Sequence, residues 1–154
     1  MPGATDGSRV IARASLPAID VQVTGSPTAP QVLLTTPLTM FDGGPVVVDF
    51  SCEYVNHIPD ITTQLNAIAF DLLIDGVRME RMTMYGNHGD LNHFGPIVLR
   101  DWLDVAPRMI PAGMHTVGIG VWKWTATQDG YIVNSPGYNG NGWGMPIRLT
   151  VTAL

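Results

Sequence analysis

The stretch PAGMHTVGIGVWKW, residues 111–124, decides the fold class because two kinds of side chain alternate along it. On one side fall β-branched apolar residues, namely Val117, Ile119 and Val121. On the other side fall small and aromatic residues, namely Gly118, Gly120, Trp122 and Trp124. A period of two is the signature of a β-strand with one buried face. The stretch therefore predicts a strand over residues 115–124 whose valine and isoleucine side packs on a core.

The glycines of this strand leave its second face bare, so that a large ring, another backbone or a partner chain can approach it closely. One interpretation is that an aromatic ring of the same chain covers the face, with Tyr138 and Trp143 as the candidates. The other is that a second copy of the protein covers it, since Trp and Tyr are enriched in the cores of interfaces. The residues predicted for interface or recognition are Gly118, Gly120, Trp122, Trp124, Tyr138 and Trp143.

The rest of the chain repeats this alternation in short pieces, which are separated by many of its 12 prolines and 17 glycines. The clearest piece is VVVDFSCEY, residues 46–54, in which every second side chain is apolar. Asp75 and Gly76 predict a two-residue hairpin turn. Beyond the turn, Glu80 and Arg81 mark a bulge at which the apolar residues change sides. Further strands are predicted over residues 9–16, 21–23, 32–40, 97–103, 131–134 and 147–153.

Many short strands at this spacing predict an all-β antiparallel sandwich or jelly roll. Only residues 60–69 and 99–105 could hold a helical turn. Residues 1–30 are rich in Pro, Ala, Gly, Ser and Thr and hold few large apolar side chains. We expect them to form an extended N-terminal arm that lies on a neighbour. The sandwich domain then covers residues 31–154.

The composition argues against a disordered chain and against a membrane or a nucleic acid as the main partner. A hydrophobic fraction of 45% with 14% charged residues is too apolar for a disordered chain. No apolar run approaches the roughly 20 residues that span a bilayer, so we expect no membrane insertion and no secretory signal. The net charge of −5 and the scattered basic residues argue against nucleic acid. The single cysteine, Cys52, lies on the apolar side of its strand and is expected in the core.

The segment PAGMHTVGIGVW, the short turn at residues 128–130, the glycine-rich loop and the closing strand IRLTVTAL together resemble the C-terminal half of C1q/TNF-like jelly rolls. In particular they resemble such domains in accessory proteins of tailed-phage virions. The piece PLTMFDGGPVVVDFSCEY is similar to the first core strands of the same proteins. The likeness covers about residues 32–154. It implies a ten-strand-like sandwich that assembles as a homotrimer in a tail tip, a fibre or a head surface, without catalytic residues.

Two loops carry residue types that bind metals: His57 and Asp60 in one, and His88, Asp90 and His93 in the other. Imidazole and carboxylate groups can together build a metal site. His88 and His93 have neither a helical nor a strand spacing and are flanked by glycines in a loop, whereas metal ligands normally stand on a rigid scaffold. We therefore predict a solvated loop or a subunit contact here, with no metal and no cofactor.

The run NGNGWG, residues 139–144, superficially resembles a glycine-rich phosphate cradle. Such a cradle must open a helix, whereas Met145, Pro146 and a strand follow here. We favour a flexible loop that exposes Tyr138 and Trp143 for stacking on sugars or for a protein contact. No serine stands in a GxSxG elbow and no carboxylates pair as acid and base, so no catalytic residue is nominated.

The sequence thus leads to one main hypothesis and several alternatives. The main hypothesis is a non-enzymatic, trimeric structural component of a bacteriophage virion, located in the tail tip or fibre. Its partners would be other virion proteins and, as a candidate, a host-surface glycan. One alternative is a head decoration protein that stabilises the capsid, and another is a carbohydrate-binding module that uses Tyr138, Trp143 and Trp122. A jelly-roll metalloenzyme would require His57 and His88 to converge with His93.

Overall fold

The structure, a computed structural model, describes residues 9–17, 19–57, 66–87, 93–103, 109–123, 130–132 and 146–154. It describes the backbone alone for residues 53–57, 66–67, 80–87, 93–103 and 130–132. Within the described ranges the chain forms ten strands, and none of these residues belongs to a helix that could cross a membrane. The strands are β1 Arg9–Leu16, β2 Val21–Val23, β3 Gln31–Met40, β4 Val46–His57, β5 Asn66–Ile74, β6 Val77–Asn87, β7 His93–Leu103, β8 Gly113–Lys123, β9 Gly130–Ile132 and β10 Ile147–Ala153.

The eight long strands divide into two antiparallel sheets. The first sheet has the order β1-β10-β4-β7, and the second has the order β3-β8-β5-β6. The short strands β2 and β9 pair with each other, and β9 also pairs with the end of β4. Numbered along the chain, the long strands follow the orders 1-8-3-6 and 2-7-4-5, which is the arrangement of a jelly roll. The predicted fold class, an all-β antiparallel jelly-roll sandwich, is confirmed.

The core lies between the two sheets and takes every second side chain of the central strands. Phe50 of β4 and Phe70 of β5 meet across it, with ring centroids 5.6 Å apart and planes inclined by 39°. Burying a phenylalanine fully contributes about 1.5–3 kcal/mol, so this pair is a main link between the sheets. Cys52 is fully buried beside them, as the alternation predicts. Other core side chains are Val46, Val48, Ile68, Leu72, Val117, Ile119, Val121, Ile147, Leu149 and Val151.

Part of the expected N-terminal arm belongs to the sandwich itself. Strand β1 pairs with β10 along its whole length, and Ala12 lies in the core while Leu16 packs against it. Residues 9–16 therefore form the strand that their alternation predicts, at the edge of the first sheet. That the first 30 residues also serve as an arm that lies on a neighbour stays a prediction. The domain boundary at residue 31 stays a prediction.

The hairpin between β5 and β6 has the predicted two-residue turn. Asp75 and Gly76 have φ angles of 52° and 76°, so both occupy the left-handed region that a type I′ turn requires. Two register shifts in this hairpin leave Met82 and Met79 without a paired residue on β5. These shifts flank the pair Glu80–Arg81, for which the sequence predicts a single bulge.

No helical turn forms in the described parts of the two segments that could hold one. Residues 66–69 belong to β5, which is paired on both sides by β6 and β8. Residues 99–103 belong to β7, whose whole length pairs with β4. Tertiary pairing decides the local structure here, which a single-sequence pattern cannot reveal. Residues 60–65 and 104–105 lie outside the described part of the chain.

Candidate functional site

The outer face of β8 is partly covered by a short segment of the same chain, residues 24–31, which we call the strap. Ser26 and Ala29 exchange backbone hydrogen bonds of 3.0 and 3.1 Å, so the strap makes a tight reversal. Its first part is fixed to β8, because the Lys123 amide donates to the Gly25 carbonyl at 3.2 Å. The strap then leads directly into β3, the edge strand that pairs with β8.

Glycines are required where the strap and its neighbours approach β8. A Cβ at Gly120 would lie 2.9 Å from the Pro30 Cβ and 3.2 Å from the Leu73 Cδ1. A Cβ at Gly25 would overlap the Val121 carbonyl oxygen. At Gly118 the space is limited instead by the neighbouring strand, whose Leu34 carbonyl oxygen would lie 3.0 Å away. The face that the sequence shows as bare is therefore closely approached by residues of the same chain.

A buried carboxylate, Asp71, lies on this same side of the second sheet. Its Oδ2 accepts a hydrogen bond from the Trp122 indole nitrogen at 2.8 Å and pairs with the Arg78 Nε at 2.6 Å. Its Oδ1 is buried and has no hydrogen-bond partner among the described residues. An ionised carboxylate without partners is very costly to bury, so the two donors make this position tenable.

Arg78 connects the buried carboxylate to the strap. Its guanidinium donates from Nη2 to the Pro27 carbonyl at 2.6 Å, and its Cζ lies 5.7 Å from the centroid of the Trp122 ring. The side chain is 36% exposed, so water weakens the attraction to Asp71 relative to a fully buried pair. One side chain thus joins β6, β5, β8 and the strap. We call Asp71, Arg78, Trp122 and Pro27 the latch.

A second polar cluster lies at one end of the sandwich, where β8 begins. The Thr116 amide donates to Asp75 Oδ1 at 2.8 Å, and the Asp75 amide donates to the Thr116 carbonyl at 2.9 Å. Asp75 Oδ2 lies 2.7 Å from His115 Nδ1. The other ring nitrogen of His115 lies 3.0 Å from the Pro111 carbonyl oxygen. We call Asp75, His115 and Pro111 the rim joint.

The rim joint shifts both of its titratable groups towards their charged forms. The hydrogen bond to Asp75 raises the pKa of His115 above its ordinary value, against a smaller opposing effect of desolvation. The hydrogen bond from His115, followed by that from the Thr116 amide, lowers the pKa of Asp75. Because each imidazole nitrogen faces an oxygen, neither is free to take a proton from a substrate. The arrangement is therefore that of a structural contact rather than a catalytic dyad.

Large apolar side chains are exposed where the edge strands β1 and β3 come together. Phe41 is 81% exposed, Met114 is 86% exposed and Val10 is 41% exposed. Met114 lies close to Phe41 because it pairs with Thr39 across the β3–β8 ladder. Val10, Phe41, Thr39 and Pro37 line one open surface groove. We call Val10, Phe41 and Met114 the Phe41 patch. Exposed apolar side chains grouped at one place are typical of protein contacts.

Three of the residues predicted for interface or recognition lie in the described part of the chain. Gly118 and Gly120 are on the outer face of β8 as predicted, with the neighbours given above. Trp122 is only 1% exposed and belongs to the latch. An interface role for this face stays a prediction, in which the strap would supply the outward surface. Trp124, Tyr138 and Trp143 lie outside the described residues.

The predicted metal-binding residues are described only in part. The backbone register pairs Asn56 with His93, which brings His57 and His93 to the same end of the first sheet. Their side chains, and the whole of His88, Asp60 and Asp90, lie outside the description. Among the described side chains, no three of the His, Cys, Asp and Glu type are grouped so that they could hold a metal ion.

The latch and the rim joint are not singled out by sequence reasoning. A signal for the latch exists, since the residues flanking Asp71 on its own side of β5 are Ala69 and Leu73, both apolar. Apolar residues on both sides of a strand indicate that both faces are covered. The rim joint gives no such signal, because Asp75 and His115 are 40 residues apart and each suits an exposed turn or strand end.

No family model matches this chain, and no curated protein sequence matches it. Solved structures are similar to it at low identity. The structure of Eiger TNF from S. frugiperda is 11% identical with a TM-score of 0.45, and the match covers 94% of this chain and 92% of that chain. A chain of infectious bursal disease virus, Gx strain, is 8% identical with a TM-score of 0.37, covering 96% of this chain and 38% of that one.

A β-glucosidase from Paenibacillus barengoltzii is 14% identical with a TM-score of 0.27, and the match covers 73% of this chain and only 10% of the enzyme. All three likenesses concern the fold alone. The class of protein is therefore defined by the strand order of the chain itself, which is that of an antiparallel jelly-roll sandwich.

Proposed function

We propose that this chain is a non-enzymatic structural subunit of a tailed-bacteriophage virion, in which it assembles as a homotrimer in the tail-tip or fibre apparatus. The resemblance of residues 32–154 to jelly-roll accessory proteins of such virions supports this proposal. The strand order agrees with the fold that the resemblance implies. Its partners are other virion proteins, with a host-surface glycan as the candidate target of attachment.

The observation that carries the proposal is the Phe41 patch. Phe41, which directly follows β3, and Met114 of the neighbouring strand β8 are both more than 80% exposed, and the half-exposed Val10 lines the same groove as Phe41. Exposing such side chains together favours association with another surface, since burying them removes apolar area from water. Most soluble oligomers consist of identical subunits in closed symmetry, so further copies of this chain are the partners that we infer for this surface.

The polar clusters support a structural rather than an enzymatic role. In the described part of the chain, the latch engages Asp71 with two donors, and the rim joint places an oxygen at each nitrogen of His115. A catalytic acid or base needs a polar atom that faces a substrate. The rim joint offers no free imidazole nitrogen, and the one unpartnered oxygen of the latch, Asp71 Oδ1, is buried.

The proposal is tested by locating the chain in the particle. Antibodies against the purified protein are applied to particles of the phage that encodes it, and the label is imaged by electron microscopy. Label at the tail tip or the fibres is expected. Label over the head would support the alternative of a head decoration protein and overturn the tail assignment. Particles that carry no label, although the denatured virion proteins react in a blot, would place the epitopes inside the particle and also overturn an exposed tail-tip position.

A further inference from the structure

His115 has an unusual position for a histidine, because an oxygen faces each of its two ring nitrogens. Asp75 Oδ2 lies 2.7 Å from Nδ1, and the Pro111 carbonyl oxygen lies 3.0 Å from Nε2. Neutral imidazole carries one N–H group, whereas the imidazolium ion carries two. Only the charged form can therefore donate to both oxygens at once.

The contacts of His115 join two loops at one end of the sandwich, and a third loop is fixed to one of them by the backbone. Asp75 belongs to the turn between β5 and β6, and Pro111 belongs to the segment before β8. That segment is itself fixed to the loop between β3 and β4, since the Gly44 amide donates to the Ile110 carbonyl at 2.9 Å. Gly43 packs closely on the same segment, because a Cβ there would lie 2.9 Å from the Ala112 amide nitrogen.

The charged surroundings of His115 are simple in the described part of the chain. From the turn between β5 and β6, Asp75 is the carboxylate that acts on it. From β3, the residue paired with His115 is the apolar Leu38. From the segment before β8, the contact is an uncharged carbonyl, that of Pro111. Asp42, in the loop between β3 and β4, is exposed and does not act on His115.

We propose that the rim joint is a pH-sensitive fastening, in which the His115 imidazolium holds residues 109–113 against the turn between β5 and β6 and releases them when it loses its proton. After deprotonation, the single N–H remains with Asp75, and the lone pair of Nε2 then faces the Pro111 carbonyl oxygen. Two acceptors at hydrogen-bond distance repel each other. The released segment leads into Met114, so the exposed apolar surface at this end changes with it. This proposal does not depend on the proposed function.

The direction of the pH effect follows from the two shifted groups. The pKa of His115 is raised above 6.5, so its stabilisation is complete below 6.5 and is lost as the pH rises through the raised value. The pKa of Asp75 is lowered below 3.8, so its stabilisation is complete above 3.8 and is lost as the pH falls through the lowered value. The joint is therefore closed between the lowered pKa of Asp75 and the raised pKa of His115, and it opens as the pH rises through the pKa of His115.

The test follows the His115 ring by NMR and the backbone amides of residues 109–116 by hydrogen exchange, both as a function of pH. Exchange rates are corrected for their intrinsic pH dependence. We expect a ring midpoint above 6.5 and a several-fold loss of amide protection that follows the same midpoint. In Asp75→Asn the midpoint falls and the pH-dependent change in protection shrinks. In the matched control Asp42→Asn, on an exposed carboxylate of the neighbouring loop, both stay as in the wild type.

A ring midpoint at or below 6.5 would overturn the proposal. So would protection that stays constant while the ring titrates. If Asp75→Asn does not fold, the wild-type titration decides between these outcomes alone, because it needs no substitution.

Discussion

The indole nitrogen of Trp122 donates to the buried carboxylate of Asp71 at 2.8 Å, on the side of the second sheet that the glycines of β8 leave bare. Arg78 completes the arrangement from the neighbouring hairpin strand and reaches the strap. These polar contacts hold the strap on the outer face of β8, where the sequence pattern predicts the close approach of a ring or a partner chain. The strap is therefore the surface that a partner would meet on this side of the second sheet.

Replacing Asp71 by alanine should destabilise the fold strongly. The substitution leaves the Arg78 guanidinium and the Trp122 N–H without their shared acceptor, and we expect a loss of about 2–4 kcal/mol in the free energy of unfolding. Urea unfolding followed by tryptophan fluorescence measures it. The matched control is Asp42→Ala at an exposed position, which should stay within about 0.5 kcal/mol. Equal midpoints for the two variants would show that the latch contributes nothing.

Replacing Arg78 by lysine should not preserve the latch. The guanidinium donates to Asp71 and to the Pro27 carbonyl at the same time. A lysine ammonium is a compact point charge on a flexible stem and does not reproduce this geometry. We expect a loss of about 1–2 kcal/mol together with faster hydrogen exchange in residues 24–31. A lysine variant with wild-type stability and wild-type protection of the strap would contradict this interpretation.

Adding a methyl group to Gly120 should loosen the strap. Its Cβ would lie 2.9 Å from the Pro30 Cβ. The Pro30 ring directly precedes β3 and cannot move freely, so we expect a cost of about 1–3 kcal/mol. Thermal unfolding of Gly120→Ala is compared with that of Thr39→Ala, an exposed position on the strand beside it. A shift in the melting temperature no larger than that of the control would contradict a tight contact between Gly120 and Pro30.

The Phe41 patch should promote self-association. In the double variant Phe41→Ser and Met114→Ser, much of its apolar surface is removed, and the weight-average mass at micromolar concentration should fall towards that of one chain. Val77→Ser is the matched control, since Val77 is 64% exposed on β6, the edge strand of the second sheet opposite β3. Light scattering coupled to size exclusion measures the mass. Loss of association in the Val77 variant alone would place the contact elsewhere.

Much of the fold could be predicted from the sequence because alternation is a local property. Strand β10 has the predicted bounds, and the turn at Asp75 and Gly76 is the predicted two-residue hairpin turn. The resemblance to C1q/TNF-like domains added the jelly-roll order, which alternation alone does not specify. Residues 66–69 are strand rather than helical turn because both neighbouring strands pair with β5.

The candidate sites were less predictable, because they depend on which distant residues meet. Asp71 and Trp122 are 51 residues apart, and Asp75 and His115 are 40 apart. Their contacts arise from the pairing of β5 with β8, which no local pattern contains. The sequence did indicate that the outer face of β8 needs a close neighbour. It did not indicate that residues of the strap, such as Pro30, would be part of that neighbour.

Assembly of the jelly-roll subunit as a trimer is measured by sedimentation equilibrium of the purified wild-type chain at micromolar concentration. One chain has a mass of 16.6 kDa. We predict a single species of three times that mass. A single species at 16.6 kDa throughout the concentration range would contradict trimeric assembly.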